Sequence, residues 1–238
     1  MANFPFQRLQ ADLAALINKT PAGQRLPSEP DLAKQLGVSR ATLREAMRSF
    51  ETQGLIRRRQ GSGTFVVGKV QALDSGLEVL ESVETIAKRM GLEVSVSDLS
   101  IEAVTADADL ASLLNVSAGA KLTRVRRVIR ADQRPVAYLV DTLPEDVVQA
   151  KDVPADFNGS VLDFLLSRGD PLTTSRANVS AIGATADVAK PLEIQRGDVL
   201  LHFNSQLFNA EGKIVDYSLS YFIPGYFRFH IVRRVGTN

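Results

Sequence analysis

Six guanidinium groups between residues 40 and 59 carry the sharpest chemical signal in this chain: Arg40, Arg44 and Arg48 at four-residue spacing, then Arg57, Arg58 and Arg59 in succession. A guanidinium presents paired N–H donors that match phosphate oxygens and the O6 and N7 acceptors of guanine. On a helix, Arg40, Arg44 and Arg48 advance slowly around the axis. They line a surface about 100° from the apolar stripe of Leu43, Ala46, Met47 and Phe50. The arginine run leads into Gln60, Gly61, Ser62 and Gly63, a tip small enough to approach a phosphate backbone or enter a minor groove. Taken alone, arginines at helical spacing are most often a solvated face. Here both basic elements belong to one helix-turn-helix pattern, and that combination points to duplex DNA. The glycine-rich tip could instead cradle a nucleotide phosphate, but no Gly-Lys-Ser/Thr ending follows it and the next stretch reads as a strand.

The elements that must position these groups are legible from caps and periodicity. Ser28 followed by Asp31 is a capping pattern opening a helix whose inward residues are Leu32, Ala33 and Leu36, and Gly37 supplies a sharp turn. Ser39 caps the next helix, which Gly54 ends. Residues 55–59 and 64–67 read as two strands joined at the tip, a basic wing. The preceding stretch, 4–17, is interrupted by Pro5, Gln7, Arg8, Gln10 and Asp12 and reads as an amphipathic helix.

Leu26-Pro27-Ser28-Glu29, Leu36-Gly37-Val38-Ser39-Arg40, Thr42-Leu43-Arg44-Glu45-Ala46 and Gly61-Ser62-Gly63-Thr64-Phe65 together resemble the N-terminal signature of the GntR family of bacterial transcription regulators. The resemblance covers about residues 4–68 and implies a winged helix-turn-helix. It implies operator contacts from the start of the recognition helix and from the wing: Ser39, Arg40, Thr42, Arg44 and Gly61. The helix and wing neighbours Ser28, Arg48, Arg58, Arg59, Ser62, Gly63 and Thr64 complete the expected DNA-binding set. One position departs from the pattern: Pro30 stands where the family often has an arginine used on the DNA.

With 238 residues and 45% hydrophobic content, the chain is long enough for two domains with a buried core. Its charge is segregated. Residues 1–68 hold ten Lys/Arg against five Asp/Glu, whereas 69–238 hold 18 against 22. A basic head suits a polyanion, and an acidic remainder argues against that part lying along DNA. The chain has no cysteine, so disulfides and thiolate metal sites are excluded. His202 and His230 lack a second ligand at metal spacing, and no metal or cofactor is expected. No apolar run approaches the ~20 residues that span a bilayer, and no signal peptide is read, so the expected location is cytoplasmic.

Residues 69–76 read as a linker and 77–238 as a second domain. In it, a helix before Gly91 is followed by alternation over 93–104 and a helix at 107–114. Strands at 122–131 and 136–142 flank the turn Asp132-Gln133-Arg134-Pro135, and a helix follows at 160–167. Strands are expected at 173–182, 200–209 and 214–223, with a closing segment at 227–234. The order describes a mainly antiparallel sheet with helices, an α+β layout. Phe203, Phe208, Phe227 and Phe229 read as core or interface.

Arg127, the turn at 132–135, the Ser160-Val161-Leu162 helix start and the Gly212-Lys213-Ile214-Val215 strand resemble the UTRA effector-binding domain of the HutC subgroup of that family, a fold also similar to chorismate lyase. The resemblance implies a ligand cleft containing Arg127 and Ser160. Asp141, Arg176, Ser180, Tyr217 and Tyr221, on strands facing the inferred cleft, complete the expected effector-binding set. On spacing alone, Arg127 reads equally as a sheet residue paired with a carboxylate, and Ser160 as a helix cap. Relatives that bind phosphorylated sugars carry a second arginine two residues after the first, a tyrosine two residues after the serine, and an Arg-x-Asp pattern after the penultimate strand. Here these positions read Ile129, Leu162 and Phe222-Ile223-Pro224-Gly225. A phosphate clamp needs fixed guanidinium donors, so the expected effector is not phosphorylated.

These readings combine into a ligand-responsive repressor, not an enzyme, expected to bind a pseudo-palindromic operator as a homodimer and to leave it when a small metabolite binds. Two competing classes are a lyase-like enzyme with a DNA-binding appendage and a DNA-binding protein without an effector. No nucleophile elbow, metal cluster or cofactor loop favours the first. Indifference of operator affinity to small molecules would mark the second.

Overall fold

The computed structural model describes residues 4–59, 62–67, 72–154, 157 and 159–233. The chain divides into two compact units, Met1–Ala72 with Pro224–Phe227, and Leu73–Ile223 with Arg228–Asn238.

The first unit packs three helices, α1 (Phe4–Lys19), α2 (Glu29–Leu36) and α3 (Arg40–Thr52), against a hairpin of β1 (Ile56–Arg59) and β2 (Gly63–Val66). Leu9, Leu13 and Ile17 recur every four residues on α1, and they meet Leu32 and Ala33 of α2 and Leu43, Ala46, Met47 and Phe50 of α3 in one core. Both helix starts are capped by serine: Ser28 Oγ accepts from Asp31 N at 3.4 Å, and Ser39 Oγ accepts from Thr42 N at 3.1 Å. Between them Gly37 adopts φ 65° and ψ 32°, the left-handed conformation that lets α2 end and the chain reverse. In the hairpin Ile56 faces Val66 and Arg59 faces Gly63. The chain before α2 runs beside β2, with Leu26 N donating to Thr64 O and Val66 N to Gln24 O, both at 2.8 Å.

The second unit is built on an antiparallel sheet. Its elements run β3 (Leu73–Gly76), α4 (Val83–Arg89), β4 (Val94–Thr105), α5 (Ala108–Leu114), β5 (Lys121–Ala131), β6 (Arg134–Pro144), a 3-10 turn, α6 (Val161–Ser167), β7 (Leu172–Gly183), α7 (Ala186–Ala189), β8 (Val199–Asn209), β9 (Ile214–Phe222) and β10 (Phe227–His230). Six strands form one sheet in the order β4-β5-β6-β9-β8-β7, and β3 pairs separately with β10. The β5–β6 hairpin turns through Asp132 (φ 49°) and Gln133 (φ 64°). Two positive φ values at the centre of a two-residue loop match the right-handed twist of the flanking strands. Pro135 therefore falls inside β6, opposite Arg130, and not in the turn.

Two expectations are revised. Residues 73–76, read as linker, form a strand, because Leu73 and Ser75 are buried while Asp74 and Gly76 alternate outward. The helix expected from residue 77 starts only at Val83, where Ser82 caps it by accepting from Thr85 N at 2.9 Å. A cap ends the helix on its N-terminal side whatever apolar residues precede it.

The DNA-facing residues and the effector cavity

In the first unit, strand alternation decides which arginines are available. Arg57 faces Phe65 and Arg59 faces Gly63, so this outward side of the wing carries both arginines. Arg59 lies 5.1 Å over the Phe65 ring. Arg25 joins them, pairing across to Phe65, and a Cβ on Gly63 would lie 2.4 Å from its Nε. Gly63 adopts φ 107°, a conformation that favours glycine, and its lack of a side chain leaves room for the Arg25 guanidinium. Arg25 escapes sequence reasoning because the chain before α2 gives no strand signal; its pairing is tertiary. Arg58 and Thr64 face each other on the inward side of the wing. Thr64 is 5% exposed, and the Arg58 guanidinium lies 3.7 Å from Glu29 and 3.6 Å from Glu51.

On α3, Arg40 is exposed. Arg44 stands with more than half its side chain in solvent and donates from Nε to Glu29 at 2.6 Å. Arg48 is half-buried and lies 3.7 Å from Glu45. Glu29, in the first turn of α2, thus holds one arginine of α3 and one of the wing. Ser28 and Ser39 are occupied as caps, and the Ser39 and Thr42 hydroxyls lie 2.8 Å apart. Ser62 is exposed at the tip, and Gly61 lies outside the described residues.

The second unit contains a cavity of about 780 Å³, within the range of small-molecule sites. Its floor is one face of the sheet. Cross-strand pairing aligns Leu139, Ser220, Phe203 and Val179 in one row and Asp141, Ser218, Ser205 and Ala177 in the next, all of them cavity residues. Arg127 reaches the same face opposite Leu139. The segment 75–84 and the start of α6 form the opposing wall. Those two parts are tied together, since Ser82 Oγ donates to Asp163 Oδ2 at 2.6 Å while Asp163 N donates to Ser160 Oγ at 3.3 Å.

Arg127 is 3% exposed and donates from Nη1 to Asp141, while its Nε lies 4.0 Å from Glu84 Oε1. Burial works against its charge. The carboxylates of Asp141, Glu84 and Asp216 outweigh that and hold its pKa above the ordinary arginine value. Asp216, 5% exposed, accepts from Thr142 N at 3.2 Å. Burial and the neighbouring Asp141 push its pKa well above the usual aspartate value, and burial likewise raises Glu84 against the pull of Arg127.

Of the seven residues expected around a ligand, Arg127, Asp141 and Ser160 line this cavity. Arg176, Ser180, Tyr217 and Tyr221 fall on the opposite parity of β7 and β9, and so on the other face of the sheet. There Tyr221 stacks between His202 at 4.8 Å and Tyr138 at 6.0 Å, and Tyr217 packs with Leu114 and Leu122 beneath α5. The strands were placed correctly by periodicity, but an alternating pattern in a sheet with two covered regions does not reveal which face holds the cavity. Glu84, Asp216, Ser205, Ser218 and Ser220 were missed. Asp216, Ser218 and Ser220 adjoin the chosen Tyr217 and Tyr221 on β9 with the opposite parity, whereas Ser205 on β8 and Glu84 on α4 carried no such signal.

A helix-turn-helix with a basic wing, joined in sequence to an antiparallel effector-type sheet, defines a winged DNA-binding regulator. Residues 6–66 match the family described as bacterial regulatory proteins, gntR family, and residues 89–228 match the UTRA domain. The chain belongs to the GntR family of transcription regulators, in the branch that carries a UTRA domain. It is 30% identical over 181 residues to the histidine utilization repressor of Pseudomonas aeruginosa, covering 76% of this chain and 71% of that one. It is 24% identical over 196 residues to the transcriptional repressor NagR of Bacillus subtilis, covering 82% and 79%. The fold superposes on PhnF from Mycobacterium smegmatis with a TM-score of 0.66, at 24% identity, over 96% of this chain and 100% of that one.

Proposed function

We propose that this chain is a cytoplasmic, homodimeric repressor that leaves a pseudo-palindromic operator when a small, non-phosphorylated metabolite enters the cavity. The DNA-binding domain is assigned to residues 1–68 and the effector and dimerisation domain to 77–238, joined by strand β3 (Leu73–Gly76). Arg40, Arg44 and Arg48 with the outward wing arginines Arg25, Arg57 and Arg59 contact the duplex. Ser28, Ser39 and Thr42 set the helix starts, Ser62 and Gly63 stand at the tip of the wing, and Gly61 is assigned to DNA contact from the family resemblance.

The observation that carries the effector reading is the charge of the cavity. Among the described residues, Arg127 is its only cationic side chain, and Asp141 already engages it. Ile129 is fully buried and is not among the cavity residues. A phosphate dianion would meet carboxylates without a free guanidinium clamp. Operator release follows if the ligand prefers one of two arrangements of the dimer.

Footprinting on the promoter upstream of the chain's own gene or its neighbours tests the regulator reading. It is expected to show two protected half-sites related by a dyad, about one helical turn apart in the simplest arrangement. Protection of a single, asymmetric half-site by the full chain would remove the homodimer.

A further inference from the structure

We infer that the effector is a hydroxyl-bearing organic cation, an ammonium compound held by Glu84 and Asp216. This inference rests on the effector-cavity reading and names the chemistry of that site. Glu78, Glu81, Glu84, Asp141 and Asp216 all line the cavity, against the single guanidinium of Arg127. Two of the five are engaged from elsewhere. Glu81 is bound by Arg89 at 2.6 and 2.8 Å, and Glu78 accepts from the Val232 backbone N–H. Asp141 is taken by Arg127. That leaves Glu84, whose nearest cation is Arg127 Nε at 4.0 Å, and Asp216, which is hydrogen-bonded to Asp141 and Thr142 N, without a cation in hydrogen-bond contact.

The local geometry has donors and acceptors that do not meet. Both carboxylate oxygens of Glu84 are sealed from solvent and have no hydrogen-bond partner on another residue. Arg127 Nε, in a side chain almost wholly buried, is likewise unpartnered and stands 4.0 Å from Glu84 Oε1. A carboxylate withdrawn from water in this way is costly unless a charged donor reaches it. An ammonium supplies three N–H donors to acceptors that have none. Once Glu84, whose side chain borders open space, turns toward the ligand, a ligand hydroxyl completes the set by accepting from Arg127 Nε–H and donating to Glu84, a bridge that a bare amine cannot make because it offers the arginine no acceptor once protonated.

The sheet floor agrees with a polyhydroxylated skeleton. Ser205 and Ser218 are cross-strand partners, Ser220 lies two residues beyond Ser218 on the same face, and all three hydroxyls belong to the cavity. Burial raises the pKa of both Glu84 and Asp216, in Asp216 together with the neighbouring Asp141, and in both it outweighs the pull of Arg127.

The test uses the full chain and matched probes on two skeletons: glucamine, sorbitol, gluconate and sorbitol phosphate, then aminobutanol, butanediol and hydroxybutyrate. Each is titrated at millimolar concentration in thermal unfolding and in operator gel retardation. The ammonium member of each set is expected to raise the melting temperature saturably and to weaken operator binding. In Glu84→Gln and in Asp216→Asn its half-saturating concentration should rise roughly ten- to hundredfold, the range for loss of a charge-assisted hydrogen bond. The Asn side chain retains the acceptor for Thr142 N, and should that variant not fold, Glu84→Gln decides alone. Larger shifts with the neutral or anionic members, or an ammonium response unchanged in the folded variants, overturn the cation assignment. If those other members also release the operator, the effector-responsive reading stands without it. If no class alters stability or operator affinity while the protein still binds its operator, both the cation assignment and the effector reading fall.

Discussion

Arg40 and Arg44 of α3 are the side chains proposed to read base edges. Both lie off the apolar stripe that builds the head, and Glu29 orients Arg44 from the adjacent helix at 2.6 Å. Each is expected to lose about 1–3 kcal/mol of specific operator binding on replacement by alanine, the value of a bidentate base contact, with folding intact. Gel retardation at constant salt, beside circular dichroism, checks this, and wild-type affinity in both variants would remove α3 from the base-reading role. At the other end of the chain, Asp216 links a residue to pH. Its folded pKa lies well above the unfolded value, so between the two the folded state holds a proton that the unfolded state has lost. The stability this contributes is fully present below the ordinary aspartate range and is lost as pH rises through the folded pKa. Asp216→Asn should therefore raise stability at neutral pH and flatten the decline, as read from denaturant melts across a pH series. A slope identical to wild type would show that Asp216 titrates normally.

At the scale of elements, strand parity divides three consecutive arginines between the two faces of the wing. Arg57 and Arg59 face outward with Arg25, whereas Arg58 faces inward between Glu29 and Glu51. Arg57→Ala should weaken binding about equally to all sequences and reduce the magnitude of the salt dependence by ~1, the signature of one lost phosphate contact. Arg58→Ala should instead act on the fold, because Glu29 and Glu51 lose a shared cation, and a lower melting temperature of the head is the expected readout. A large change in salt slope with Arg58→Ala and none with Arg57→Ala would reverse the assignment of faces. Ser160 caps α6 through Asp163 N and also lines the cavity, so its capping role leaves room for the proposed ligand contact.

At the scale of the whole molecule, the charge split and the two compact units suggest separable functions. A fragment beginning at Ala72, which retains β3 for pairing with β10, is expected to be dimeric in light scattering, while a fragment of residues 1–68 is monomeric and binds DNA weakly. A dimeric head beside a monomeric remainder would move the dimer contact to the other unit.

Much of this architecture is readable in the sequence. Serine caps, the Gly37 turn and four-residue apolar spacing are local signals, carried by each segment's own backbone and side chains, and they placed α2, α3 and the wing. The alternation of β5 through β9 placed the sheet for the same reason. Tertiary structure alone decided what depends on partners distant in sequence. It paired β3 with β10, set Arg25 across the wing, turned Arg58 inward, and gathered Glu84, Arg127, Asp141 and Asp216 around one cavity. It also chose the face of the sheet, placing Arg176, Ser180, Tyr217 and Tyr221 away from that cavity. Periodicity reports that a strand has two faces, but which one closes over a ligand depends on the helices and loops packed against it, and those arrive from elsewhere in the chain.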